Sequence, residues 1–398
     1  MKLSLRAACL LAIPGALGIV AACSDASPEA APDPAADGGA LPVVDASAPE
    51  TDADADAEAP RECSKDGFCP TALPPGQTLR GVWGDGTGIV WSVTDEGNVL
   101  RWDGTTWKIH ASGLGPLGAI WGSGPTDVWI GGEEGLRRGT GGASATLTFA
   151  KIAPPGGVAV SIRSIWGSGP DDVWAAGGTV EPQPAGRVLH YAARDGGPSL
   201  AIDAVSTQPT PTAFASVWGS TATGVWVAGA RLLEGEDFFE EIAVFRRAAG
   251  ASAFAEVTLP PDPEEAPVFG VLAVMGGAAI SGDDVLVLGR SSSAVPGIWR
   301  GTTTNGGATF TFSYTKAGRN DAPPINALCG VSSKNAWAVG DYGRVHRWDG
   351  DAWTQAAVTR TKFPLTDPLY AVWAAGPEDV WVVGKQIALR RDPSKKQP

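Results

Sequence analysis

The sequence predicts an all-β fold, a seven-bladed β-propeller built from four-stranded antiparallel blades. Three observations lead there: a Trp-to-Trp step of eight residues that recurs along the chain, turn residues at regular places within each repeat, and two ends that complement each other. The step runs Trp83 to Trp91, Trp121 to Trp129, Trp166 to Trp174, Trp218 to Trp226 and Trp373 to Trp381. A sixth copy places Cys329 first and Trp337 second. A degenerate copy around Leu272 to Gly289 keeps Leu286 in the second place and reads as carrying a few extra residues before it. Intervals between second positions are 38, 45, 52, 60, 51 and 44 residues, which is the length of a propeller blade.

Blade one shows the internal plan. Leu79 to Trp83 reads as the first strand, Gly88 to Val93 as the second, Val99 to Trp102 as the third and Thr106 to His110 as the fourth. Gly-Ser-Gly-Pro-Asp sequences recur between first and second strands, and Trp-Asp-Gly sequences between third and fourth. Asp-Gly supplies the positive φ that a tight hairpin requires. Trp, Val and Ile at alternating positions suit a pleated sheet buried on both faces. The last repeat ends after a third strand, Ile387 to Arg391, without an aromatic fourth strand such as those carrying Trp107, Phe149, Phe254, Phe312 or Trp353. Asp66-Gly67-Phe68-Cys69-Pro70 imitates Asp349-Gly350-Asp351-Ala352-Trp353. Phe68 is therefore expected on the strand that completes blade seven, so that the two ends close the ring and leave no free edge.

Ahead of the repeats lie two segments of different character. Lys2 and Arg6 precede an apolar stretch from Ala7 to Val20, the layout of a secretory signal over residues 1–22. Val20-Ala21-Ala22-Cys23 resembles the bacterial lipobox, which implies cleavage before Cys23, acylation of its thiol and an anchor in the outer membrane. Residues 23–62 then read as a disordered tether. Between 24 and 60 there are ten Asp or Glu, no Lys or Arg and no aromatic residue, a composition that cannot bury enough apolar area to fold. The propeller is expected over 63–398. Most of the chain's net charge of −13 belongs to the tether. The remaining body is only mildly acidic, which argues against nucleic-acid binding.

The stretches Ile165-Trp-Gly-Ser-Gly-Pro-Asp-Asp-Val-Trp-Ala-Ala-Gly-Gly178 and Ala336-Trp-Ala-Val-Gly-Asp-Tyr-Gly-Arg-Val-His-Arg-Trp-Asp-Gly350 resemble bacterial propeller repeats. They are similar to bacterial neuraminidase repeats and to photosystem II assembly-factor-like propellers. The resemblance covers about 66 to 392 and implies a fold rather than an activity. The neuraminidase Asp-box is not cleanly present, since Ser92-Val-Thr-Asp95-Glu-Gly97 is off register by one.

Cys63 and Cys69 flank a short polar turn and are expected to form a disulfide pinning the closing strand. Cys329 occupies a core Trp position and reads as a buried thiol. His110, His190 and His346 are scattered over third and fourth strands. No catalytic residue, metal or cofactor is assigned.

Ligand contacts are expected on the face formed by the variable loops, between second and third strands and between blades. Those loops carry Asp95, Glu96, Glu133, Glu134, Glu181, Glu234, Glu236, Asp237, Glu240, Glu241 and Asp341 against Arg231, Arg290 and Lys385. The longest, Arg231 to Glu241, presents Phe238-Phe239 among Glu236 and Asp237, an aromatic pair of the kind that anchors a partner. Near the channel mouth, the position three before the first Trp holds Arg80, Gly118, Arg163, Ala215, Asn326 and Tyr370. Two Arg with Asn and Tyr suit a carboxylate or a sugar. The reading is a monomeric, lipid-anchored envelope propeller that binds a protein or glycan without catalysis. The alternative is a carbohydrate-active hydrolase or lyase using the acidic loops, which requires two carboxylates at a defined separation.

Overall fold

The computed structural model describes residues 63–179, 185–194, 197–233, 239–260, 271–279, 284–291, 296–316, 325–359 and 363–395. Seven four-stranded antiparallel sheets account for the repeats. Blade one is Leu79–Gly84, Val90–Thr94, Val99–Trp102 and Trp107–Ala111, within two residues of the ends expected from the sequence. Each first strand packs on the first strand of the next blade, and the seventh packs on the first, so the ring is closed. Blade seven takes its fourth strand from the start of the domain: Phe68–Pro70 pairs antiparallel with Ile387–Arg391, with Phe68 opposite Arg391. A disulfide joins Cys63 to Cys69 beside that strand.

The core lies between blades. Seven apolar clusters each join two neighbouring sheets, including one between blades seven and one. Their centres are the second Trp of each step, with Trp91, Trp129, Trp174, Trp226, Trp337 and Trp381 almost wholly buried. The indole of the first Trp of one blade reaches the glycine that follows the first Trp of the next. Trp83 covers Gly122, Trp121 covers Gly167, Trp166 covers Gly219, and Trp373 covers Gly84 across the closure. A Cβ on Gly122 would sit 2.5 Å from the Trp83 ring. This close approach is why the repeat reads Trp-Gly.

The Asp-Val-Trp part of the repeat has its own cause. The third-strand residue opposite the second Trp, or opposite Leu286 in blade five, is Arg101, Arg138, His190, Arg246, Arg300, Arg347 and Arg390 in blades one to seven. Where an Asp begins the second strand or immediately precedes it, that cation pairs with it: Arg138 with Asp127 at 2.5 Å, His190 with Asp172 at 2.7 Å, Arg300 with Asp284 at 3.2 Å and Arg390 with Asp379 at 3.5 Å. Ser123 and Ser168, from the preceding turn, donate to Asp127 and Asp172. The cations lie over the buried rings, Arg138 at 4.9 Å from Trp129 and Arg246 at 5.2 Å from Trp226.

Two sequence expectations are corrected. In blade five, Ala278 stands opposite Leu286, so the step of eight holds there too; no extra residues intervene, and the signal was hidden because Ala replaces Trp. In blade four the second and third strands run further than expected, with Arg231 opposite Glu241, Leu232 opposite Glu240 and Leu233 opposite Phe239. Ladder hydrogen bonds satisfy the backbone there, and only 234–238 is left between the strands.

His346 on the third strand of blade six is buried, and burial together with nearby Arg344 pushes its pKa from 6.5 down to about 4. The native state therefore holds it neutral, while the unfolded chain protonates it below about 6.5. Its contribution is complete above that pH and is lost as pH falls toward 4, by ~2 kcal/mol at pH 5 and ~3 kcal/mol at pH 4. Urea titrations at pH 7 and pH 4.5 should show this loss in the native chain and much less of it in His346→Gln.

Candidate functional site

Every first strand carries a β-bulge at the same place. The register skips one residue between Leu79 and Gly81, Leu117 and Ala119, Ile162 and Ser164, Phe214 and Ser216, Val274 and Gly276, Ile325 and Ala327, and Leu369 and Ala371. The skipped residues are Arg80, Gly118, Arg163, Ala215, Met275, Asn326 and Tyr370. A bulge leaves one residue out of the ladder and re-aims its side chain. Six of these seven line one cavity of about 710 Å³ at the end of the ring where the variable loops lie. Sequence spacing alone located six of the positions; the bulge that turns them inward, and Met275 as the seventh, emerge only from the register.

The cavity wall is uneven. On one side Arg80 donates through Nε to both carboxylate oxygens of Asp95 at 2.8 Å, and its guanidinium lies 3.9 Å from the Tyr370 ring centre. The hydrogen bond to Asp95 holds the Arg80 guanidinium above its ordinary pKa, against the effect of partial burial. Asn326 donates to Asp341 and to the Leu369 carbonyl, each at 2.9 Å. On the other side the lining is small: Gly118, Gly132, Ala213, Ala215 and Ala230. Arg163 stands exposed between Gly118 and Ala215 and has no ion pair among the described residues. The carboxylates lining the cavity are Asp95, taken up by Arg80, and Glu133.

The rim spends much of its charge internally. Glu134 pairs with Arg137, Arg231 with Glu256, and Glu96 accepts from the Thr78 amide. Glu236, Asp237 and Phe238 lie outside the described residues, as do Glu181 and Cys23. Phe239 opens the third strand of blade four rather than lying in a loop. Cys329 is half-buried rather than buried, and desolvation pushes its thiol up to about 11.

A second cavity of about 360 Å³ opens between blades three and four, on the side of the uniform turns. Asp172 is bonded there to Ser168 and His190, and His190 stacks on Trp174 at 3.7 Å. Burial opposes ionisation of Asp172, and the bonds from His190 and Ser168 outweigh it, so its pKa falls below the usual range. The carboxylate separates Ser from His, so this is the blade's own Asp-x-Trp relay and not the Ser–His order of a nucleophile.

No protein-family model matches the chain, and no curated protein matches it. Solved structures do. YCF48 from Cyanidioschyzon merolae superposes with a TM-score of 0.57 at 14% identity, over 82% of this chain and 99% of that one. A structure of YCF48 bound to D1 peptide matches equally, at 0.57 and 14%, over 83% and 97% of the two chains. The extracellular domain of the one-component system BT4673 from B. thetaiotaomicron matches at 0.57 and 12%, over 82% of this chain and 40% of that one. At such identities the likeness is one of fold.

Proposed function

We propose that this chain is a lipid-anchored envelope propeller, held in the outer membrane through acylated Cys23, exported by residues 1–22 and spaced from the membrane by a tether over 23–62. It acts as a non-catalytic binding module for a protein or glycan ligand at the channel mouth. The observation that carries the reading is the ring of seven bulges, which turns Arg80, Arg163, Asn326 and Tyr370 toward one cavity and leaves Arg163 as its unpaired cation among the described residues. A rigid scaffold presenting side chains from several blades to one space suits recognition. Neighbours in fold support it in kind, one having been solved with a peptide and another being the extracellular domain of a one-component system. Hydrolysis needs two available carboxylates, and Arg80 already engages one of the two lining this cavity.

The test is binding of carboxylate-bearing peptides and of an acidic glycan array to the full chain. Arg163→Ala removes a charged hydrogen-bond donor and should weaken a carboxylate ligand by about ten- to a hundredfold, with Tm unchanged because the side chain is exposed. Undiminished binding in this variant would place the ligand elsewhere.

A further inference from the structure

Blade six carries a residue that its local backbone disfavours. Asp341, Tyr342, Gly343 and Arg344 form a turn closed by the Arg344 amide on the Asp341 carbonyl at 3.2 Å, with both central residues at positive φ, 55° for Tyr342 and 64° for Gly343. Asn, Asp or Gly occupies the first of these places at least cost, and a bulky aromatic is an outlier there. Folding gains little from the ring, because Tyr342 is 70% exposed. A strained backbone holding an aromatic side chain in solvent points to a use outside the chain's own stability.

A second exposed aromatic lies on the segment that packs against this turn. Phe363, 76% exposed, lies two residues before Leu365, whose carbonyl packs against Gly343, and the Gly343 amide bonds the Asp367 carbonyl at 2.9 Å. Among the described residues the other exposed large apolar side chains are only 41–50% exposed. Both segments lead to the channel mouth: Asn326 of the mouth bonds Asp341, next to Tyr342, and Tyr370 follows Asp367 by three residues.

We propose that Tyr342 and Phe363 form an aromatic ledge that anchors an apolar side chain of an extended polypeptide, whose carboxylate reaches across the mouth to Arg163. This rests on the mouth as the binding site and names the partner's chemistry. A polypeptide fits better than a sugar because the polar groups flanking the ledge are spent. The Asn326 amide is shared between Asp341 and the Leu369 carbonyl, and the Asp367 carbonyl is taken by Gly343. An apolar side chain asks nothing of them, whereas a sugar hydroxyl would. Arg163 supplies the complementary charge, and its place on blade three, across the ring from blade six, requires a ligand that spans the opening.

The experiment uses the full chain and fluorescent synthetic peptides ending in a free carboxylate, with Phe at varied distances from it and matched copies with Ala in place of Phe. Tyr342→Gly relieves the turn, so its Tm should hold or rise while affinity for the best Phe peptide falls by about tenfold or more. Phe363→Ala should act in the same direction, and neither variant should alter binding of the Ala copies. Arg163→Ala should weaken both series. Loss with Arg163→Ala but not with the two aromatic variants overturns the ledge and leaves the mouth standing. Absence of peptide binding, or binding of an acidic oligosaccharide that Tyr342→Gly abolishes, overturns the polypeptide assignment.

Discussion

Phe68→Ala is expected to cost about 3–5 kcal/mol, among the largest effects of any single substitution in this chain. Phe68 is wholly buried and packs edge-on against Trp337 of blade six, with ring centres 5.7 Å apart. Its strand also ties the start of the domain to its end, since it completes the sheet formed by Leu369–Ala374, Val380–Gly384 and Ile387–Arg391. Neighbouring groups reinforce it: the Asp66 carboxylate accepts from the Ala357 amide at 2.5 Å, and the Asp392 amide donates to the Gly67 carbonyl at 2.7 Å. Denaturant midpoints should fall sharply in Phe68→Ala. A chain begun at Thr71 should expose the edge of Ile387–Arg391 and aggregate. Replacing Cys63 and Cys69 by Ser should cost less, because the disulfide closes only a short loop and leaves the packing of Phe68 in place. A Phe68→Ala chain as stable as the native one would mean that the ring is held shut by other contacts.

The second large effect concerns the junction of blades six and seven, where the Trp-Gly rule is broken on both sides. The first position of blade six is Cys329 instead of Trp, and the residue following Trp373 is Ala374 instead of Gly. The two changes compensate in size: where the upstream side chain is small, the downstream position can carry a Cβ. Cys329→Trp alone should overpack this junction and cost about 1–3 kcal/mol or more, and Ala374→Gly alone should leave a small void. The double variant restores the pattern seen at Trp83 and Gly122, so its stability should exceed the sum of the single effects. A coupling of about 1 kcal/mol or more in a double-mutant cycle is the expected result. Additive effects would show that the junction adjusts by moving the blades apart.

These cases show how far residue order carries the argument. The eight-residue step is visible because two Trp face each other across the first hairpin, Trp83 with Trp91 and Trp121 with Trp129, and a pair so large must repeat in type to fill equivalent spaces. Blade five obscured the step only because Ala278 and Leu286 are chemically plain. The ends were legible for a similar reason, since a missing aromatic strand at one end and a surplus one at the other are facts of local composition.

What the chain order determined, then, is the number of blades, the spacing of the Trp pairs and the closure through Phe68, because each rests on side chains that recognise one another at short or regular separation. Tertiary structure alone decided which polar groups remain available. Arg80 and Arg163 occupy equivalent places in the sequence, yet Arg80 is taken by Asp95 and stacked on Tyr370 from blade seven, whereas Arg163 stands between Gly118 and Ala215. Pairing of that kind depends on which blades meet around the ring, and one strand's residues carry no record of their neighbours in space. The strain at Tyr342 is equally invisible in the order Asp-Tyr-Gly-Arg, because a positive φ belongs to the turn's geometry and not to the residue that bears it.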